Sequence, residues 1–388
     1  MFADVKGPSF IFWPVGCGDS TTVVISDSEV LQIDLNDTAI AEAADNEKIP
    51  LVDELVAKLP TKNGKPYLSC FMLTHPDEDH CRGFNDLLKR VTIGELWHTP
   101  RVFREYHKDL CDDAKAFRKE AKRRVAATIK AGGDPGAGHR VRVVGYDDLL
   151  EEDDYKGFSA DFFTRPGHAV TALDGAEIPD RFNAFVHAPF RNDPADSRNE
   201  TSLAMRVLIG NSKNSMSGLF LGDLAYPTLR EIVDQTKAHD NEDKLKWNVL
   251  LAPHHCSKKA MYEKNDNGDD VLKQDILDDL ESFQLTPGFI VASSVAIPGN
   301  NTSGDNPPHA KAKTRYEEIV NDDFICTGEY STPKKMRPII YTVTGTSIAQ
   351  VDKDYTLGEA TKEDLAKAIA AARGSNAPPI DKVGFGHE

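Results

Sequence analysis

Residues 73–83 read LTHPDEDHCRG, and within them positions 75–80 carry two histidines and three acidic residues directly behind the apolar run YLSCFM. The run is β-branched, aromatic or otherwise apolar and reads as a buried strand, so the motif sits in the loop that leaves it. His75, Asp77, Asp79 and His80 are spaced to point into one small volume. Such groups repel and desolvate one another unless a cation lies among them. Imidazole nitrogens mixed with carboxylate oxygens suit Zn²⁺, with Mn²⁺ or Fe²⁺ where carboxylates are many.

Two other stretches answer the motif. FLGD places Asp223 at the end of an apolar run, where a carboxylate is suited to bridge two cations, and LLAPHH ends a second run in His254 and His255. Three strands finishing in ligand residues is the pattern of a layered α/β fold, in which sites assemble at strand ends. Neighbouring residues on a strand end point opposite ways, so one histidine of the pair is expected as ligand. His255 is preferred, with His254 as a transition-state donor.

Around this centre the chain alternates. PSFIFWPV, TTVVIS and VLQIDL read as strands broken by the turn GCGDS, in which Asp19 is expected to support the site or shape the turn. IPLVDELVAKLP, FNDLLKR, PTLREIVDQT and HAKAKTRYEEIV read as helices, and IGELWHTP, RVRVV, NAFVHAPF, TSLAMRVLI and GFIVASS as strands. IIYTVTG and SIAQV form an expected hairpin; TKEDLAKAIAAAR is an expected closing helix, capped by Thr361, before a flexible tail. The expected division is a main domain over 1–353, with 101–200 as an insertion or lid, and a helix with tail over 354–388.

The chain has 388 residues and a formal net charge of −16, which argues against general polyanion binding. Between Arg101 and Val143, however, twelve Lys and Arg face six Asp and Glu. That segment is either a basic surface able to steer a nucleic acid or a solvated helix face. Six cysteines without a CxxC pair suggest neither a zinc ribbon nor a disulfide framework. With no run of eighteen apolar residues and no zoned leader, a soluble cytoplasmic protein without membrane contact is expected.

The motifs resemble the metallo-β-lactamase fold, whose HxHxDH signature is matched by HPDEDH with Asp77 in place of the second histidine. More narrowly, VGCGDST, THPDEDH, NETSLAMRV, LFLGD and APHHCSK are similar in content and order to the hydrolase domain of the competence protein ComEC. The resemblance spans about residues 8–350 and is poor over 101–200. It implies a four-layer αββα sandwich with two divalent metals, zinc or manganese, and a bridging hydroxide that attacks a phosphodiester. By position, His75 and Asp77 would hold one metal, Asp79 and His80 the other, with Asp223 bridging and His255 completing the second site. Asp79 is thereby both ligand and catalytic residue. Asp77 makes its site harder and more anionic, which favours Mn²⁺ or weakens zinc there. Cys256, where the family has Gly, would set a thiol beside the metals. A third-motif histidine is not evident; His168 and His187 are the candidates.

For the substrate, His309 at an expected helix N-terminus, aided by Lys311 and Lys313, is either an anion site or an ordinary helix start. Ser257 and Lys258 are expected to contact substrate. The expected substrate is a nucleic acid or a small phosphodiester. A non-catalytic metal-binding role, with a partner held through the C-terminal tail, is the reading from another class.

Overall fold

The structure, a computed structural model, describes residues 5–41, 49–103, 110–191, 199–300, 304, 306–331 and 337–351. The expected helix at 361–373 and its tail lie outside these residues.

The first sheet is built from β1 (Ser9–Phe12), β2 (Thr21–Val24), β3 (Val30–Ile33), β4 (Lys65–Met72), β5 (Thr92–His98), β6 (Arg140–Val144) and β7 (Phe163–Thr164). The second takes β8 (Ala169–Val170), β9 (Phe182–Ala188), β10 (Ala204–Gly210), β11 (Ser215–Phe220), β12 (Trp247–Leu251), β13 (Gln284–Ala292) and β14 (Asp323–Cys326). A closing hairpin, β15 (Ile339–Thr344) and β16 (Ser347–Gln350), returns to the first sheet beside β1. The order is β16-β15-β1-β2-β3-β4-β5-β6-β7 in one sheet and β14-β13-β12-β11-β10-β9-β8 in the other. Each sheet has an antiparallel half and a parallel half: β3 to β7 run parallel, as do β11 to β14.

Parallel neighbours need crossovers, and the helices supply them on the outer faces. α1 (Leu51–Lys58), α2 (Glu78–Cys81), α3 (Phe84–Arg90) and α4 (Asp112–Ala131) serve the first sheet; α5 (Tyr226–Ala238), α6 (Gln274–Ser282) and α7 (Ala310–Ile319) serve the second. Three apolar clusters separate four layers. Leu55, Phe84, Phe117 and Val125 pack between helices and the first sheet. Phe10, Phe12, Met72, Met205, Phe220 and Val291 fill the space between the sheets. Leu229, Ile276, Tyr316 and Trp247 close the second sheet from outside. The expected αββα sandwich is the observed architecture.

Within residues 101–200, expected as an insertion or lid, the long helix seats on the first sheet. α4 lays Phe117, Ala121 and Val125 against the first sheet, and the stretch contributes strands to both sheets. The helical periodicity there belongs to an outer layer with its apolar stripe buried, not to an overhang. No helix of the described residues is long and apolar enough to cross a membrane.

Candidate metal centre

The parallel halves of the two sheets meet at one edge, and the loops leaving their C-terminal ends carry the centre. β3 ends in Asp34, held at φ +53° with its amide on the Met72 carbonyl (2.9 Å). From there its carboxylate accepts the Thr74 amide at 2.7 Å, the Thr74 hydroxyl at 2.6 Å and His80 Nδ1 at 2.8 Å. Burial raises the Asp34 carboxyl above its ordinary range, against the pull of His80.

These partners fix three imidazole tautomers. His80 gives its Nδ1 proton to Asp34, and His255 gives its own to the Ser293 carbonyl at 3.2 Å. The Thr74 hydroxyl, already donating to Asp34, accepts from His75 Nδ1 at 3.1 Å. These bonds turn all three Nε2 atoms inward. His80 Nε2 lies 3.4 Å from His255 Nε2 and 3.3 Å from Asp223 Oδ1. His255 Nε2 is 3.3 Å from Asp79 and 3.5 Å from Asp223. His75 Nε2 is 3.6 Å from Asp77 and 3.7 Å from Asp223, and finds no hydrogen-bond partner among the described residues although fully buried. Either protons on the His80 and His255 imidazoles or a cation among these groups offsets the carboxylates.

Asp223 stands at the junction, reaching His80 with one oxygen and His75, His254 and His255 with the other. Asp19, His80, Asp223 and His255 offer ligand atoms all within 4.8 Å of one another, and all four residues are buried. Burial would raise the Asp223 and Asp79 carboxyls, but the surrounding imidazoles hold both below the ordinary carboxylate range. Burial, with the neighbouring His80, lowers His75 to about 3. Burial opposes protonation of His80, yet Asp223, Asp34 and Asp79 together raise it well above its ordinary value.

The chain thus brings together His75, Asp77, Asp79, His80, Asp223 and His255. Asp19, expected as a supporting residue, stands among the inner ligand atoms, its carboxylate 3.4 Å from His255 Nδ1 and its amide on the Asp79 carbonyl. The turn before it approaches closely: a Cβ at Gly18 would fall 2.6 Å from the Asp79 carbonyl oxygen, so only glycine fits. Asp34 was not singled out in the sequence. Its only signal is an acidic residue ending the run VLQI on the strand beside the motif strand.

His254 and His255 do not alternate as on a strand. They and Cys256 all have positive φ, +50°, +53° and +65°, so the chain turns left-handed and both histidines face Asp223. His254 is the more exposed of the two, at the rim. The Cys256 thiol packs into the outer apolar layer rather than beside the ligands, and burial pushes its pKa up.

His309, expected at an anion site or an ordinary helix start, is held by backbone groups. Its Nδ1 accepts the Lys258 amide at 3.2 Å and its Nε2 donates to the Gly304 carbonyl at 3.1 Å, while its own amide holds the Cys256 carbonyl at 3.1 Å. Both ring nitrogens are committed to backbone, and the residue pins the left-handed turn. Ser257 is buried and accepts the Lys259 amide at 3.2 Å; Lys258 pairs with Asp270 at 3.0 Å and Lys313 with Glu329 at 3.2 Å. His187 bonds the Thr236 hydroxyl and the Lys244 carbonyl, both at 3.1 Å, and exposed His168 bonds the Pro166 carbonyl at 3.3 Å. Together they line a cavity of about 300 Å³ with Phe185 and His239, apart from the ligand cluster.

No protein-family model matches the chain, and no curated protein matches it. Among solved structures, the metallo-β-lactamase GOB-18 from Elizabethkingia meningoseptica is similar at 14% identity and a TM-score of 0.31, over 68% of this chain and 83% of that one.

Proposed function

We propose that this protein is a metal-dependent hydrolase of phosphodiesters. The observation that carries the reading is the convergence of three imidazole Nε2 atoms and the Asp77, Asp79 and Asp19 carboxylates around Asp223. On that reading His75, Asp77 and Asp223 form one ligand set and Asp79, His80, His255 and Asp223 the other. Divalent cations bound there would activate water and offset the charge that builds on the phosphoryl oxygens. The chain's own part is to aim the ligand nitrogens inward through Asp34, Thr74 and Ser293, and to keep them rigid on two sheets. His254, at the rim and 3.6 Å from Asp223, is the residue to which we assign donation to a substrate oxygen. The motif resemblance to the ComEC hydrolase domain supports the same reaction class.

A small diester is favoured over a nucleic acid by the state of the basic segment. Lys115, Lys122, Arg123, Arg124, Arg140 and Arg142 are each paired with an acidic side chain of this chain, at 2.6–3.3 Å. Cations so engaged neutralise few phosphates and so release few counterions from a polymer. The test is a panel of single-stranded and duplex DNA, RNA, cyclic nucleotides and an aryl phosphodiester, across salt concentrations, beside the Asp79→Ala form. Turnover of small diesters with weak salt dependence, lost in Asp79→Ala, is expected. Steep salt suppression of polymer cleavage would make the protein a nuclease, and silence across the panel would favour a non-catalytic metal-binding role.

A further inference from the structure

α2, which carries Asp79 and His80, ends in Cys81, and Cys111 immediately precedes α4. The two sulfurs are 3.5 Å apart. Neither is tied to another sulfur in the resting chain, where all six cysteines are free thiols. Cys111 is the N-cap of the twenty-residue α4, and its sulfur accepts the Ala114 amide at 3.4 Å. Cys81 is fully buried, with its thiol against the Asp77 carbonyl at 3.3 Å, whereas Cys111 is partly exposed. The pair therefore has an accessible member and a sheltered one in contact.

We infer that Cys81 and Cys111 are a reversible modification site, closed to a disulfide by a peroxide and reopened by a thiol reductant. The sulfurs need to close from 3.5 Å to about 2.0 Å. Cys111 is the attacking member. The hydrogen bond from Cys81, against burial and with the Ala114 amide, holds its thiol down at about 7, so a thiolate is available near neutral pH. The Cys111 thiolate attacks one peroxide oxygen, the O–O bond breaks, hydroxide leaves and a sulfenic acid forms. The Cys81 sulfur then attacks that sulfur, the S–O bond breaks and water leaves with the Cys81 proton. Two thiols and one hydrogen peroxide give one disulfide and two waters. The bond spans thirty residues of sequence and joins the ligand-bearing turn to an outer-layer helix.

The inference rests on the sulfur geometry, with the lowered Cys111 thiol beside it, and its test needs no substrate. Reduced full-length protein is treated with hydrogen peroxide, denatured, alkylated and mapped without reduction. Four of the six thiols are expected to remain, with a peptide crosslinked through Cys81 and Cys111 that dithiothreitol releases. Cys111→Ser should give no crosslink and leave Cys81 alkylatable. Cys81→Ser should leave a dimedone-reactive sulfenic acid at Cys111. Wild-type protein that keeps all six thiols, or loses them first at Cys17 without the crosslink, would overturn the inference. Both readings come from wild type, so they hold whether or not a variant folds.

Discussion

Asp34 takes hydrogen bonds from the Thr74 amide, the Thr74 hydroxyl and His80 Nδ1, and so decides which nitrogen of His80 faces the ligand cluster. Asp34→Asn keeps the shape but weakens the acceptor that holds His80 in this tautomer. Metal affinity should fall about 10–100-fold with the fold intact, read by chelator competition beside circular dichroism. Unchanged affinity would mean that His80 needs no such orientation. The motif residues were legible in the sequence because ligand types crowd one short loop and recur after two other apolar runs. Asp34 and the inner place of Asp19 were not, because each is a single carboxylate in an ordinary-looking turn, and its role exists only once strands far apart in sequence lie side by side. His309 misled for the opposite reason. Its position before a helix resembles an anion site, and only the partners of its two ring nitrogens reveal the task.

Among the elements, α4 is fixed to the first sheet by more than its apolar stripe. Arg124, 1% exposed, donates to the carbonyls of Ile93, Gly94 and Arg140 at 3.0–3.4 Å and pairs with Glu120 at 2.7 Å. Arg124→Met should lower unfolding stability by about 3 kcal/mol in urea titrations, since it strands buried carbonyls and a half-buried carboxylate. A loss below about 0.5 kcal/mol would show that α4 docks on apolar contacts alone. On β9, burial holds the His187 imidazole down at about 4, from its ordinary 6.5. Between those values the unfolded chain binds a proton that the folded chain refuses. Stability is therefore full above pH 6.5 and falls as pH drops towards 4, by about 3 kcal/mol from this residue. His187→Gln should flatten that acid limb relative to wild type in denaturation series between pH 7 and 4, although buried His98, lowered to about 3, leaves a limb of its own. Most strands and helices were legible from period and punctuation. α6 was passed over, although Ile276, Leu277 and Leu280 form an apolar stripe, because QDILDDLES is dominated by its acids. The seat of α4 was not legible, because a polar helix with a narrow apolar face looks external in sequence whether it covers a site or a sheet.

At the scale of the molecule, the ligands come from both halves. His75, Asp77, Asp79 and His80 follow a strand of the first sheet, and Asp223 and His255 follow strands of the second. Cations held between them should therefore fasten the two sheets at one edge. Their removal by a chelator should lower the melting temperature, with the loss reversed by Zn²⁺ or Mn²⁺ and growing with metal concentration, about 2.7 kcal/mol when free metal stands at a hundred times Kd. A melting temperature indifferent to chelator would show that the cluster is satisfied without metal. The layered α/β class was legible from alternating strands and helices, whereas the four-layer sandwich was implied by the motif resemblance. How the sheets meet was not legible, since that depends on the interdigitation of Phe10, Phe12, Met205 and Phe220 across the gap. The most direct test of the account is a manganese titration of metal-free protein followed by electron paramagnetic resonance. The account predicts two ions per chain, spin-coupled through Asp223, with the coupling lost in Asp223→Asn; a single ion, or two uncoupled ions in the wild type, would contradict it.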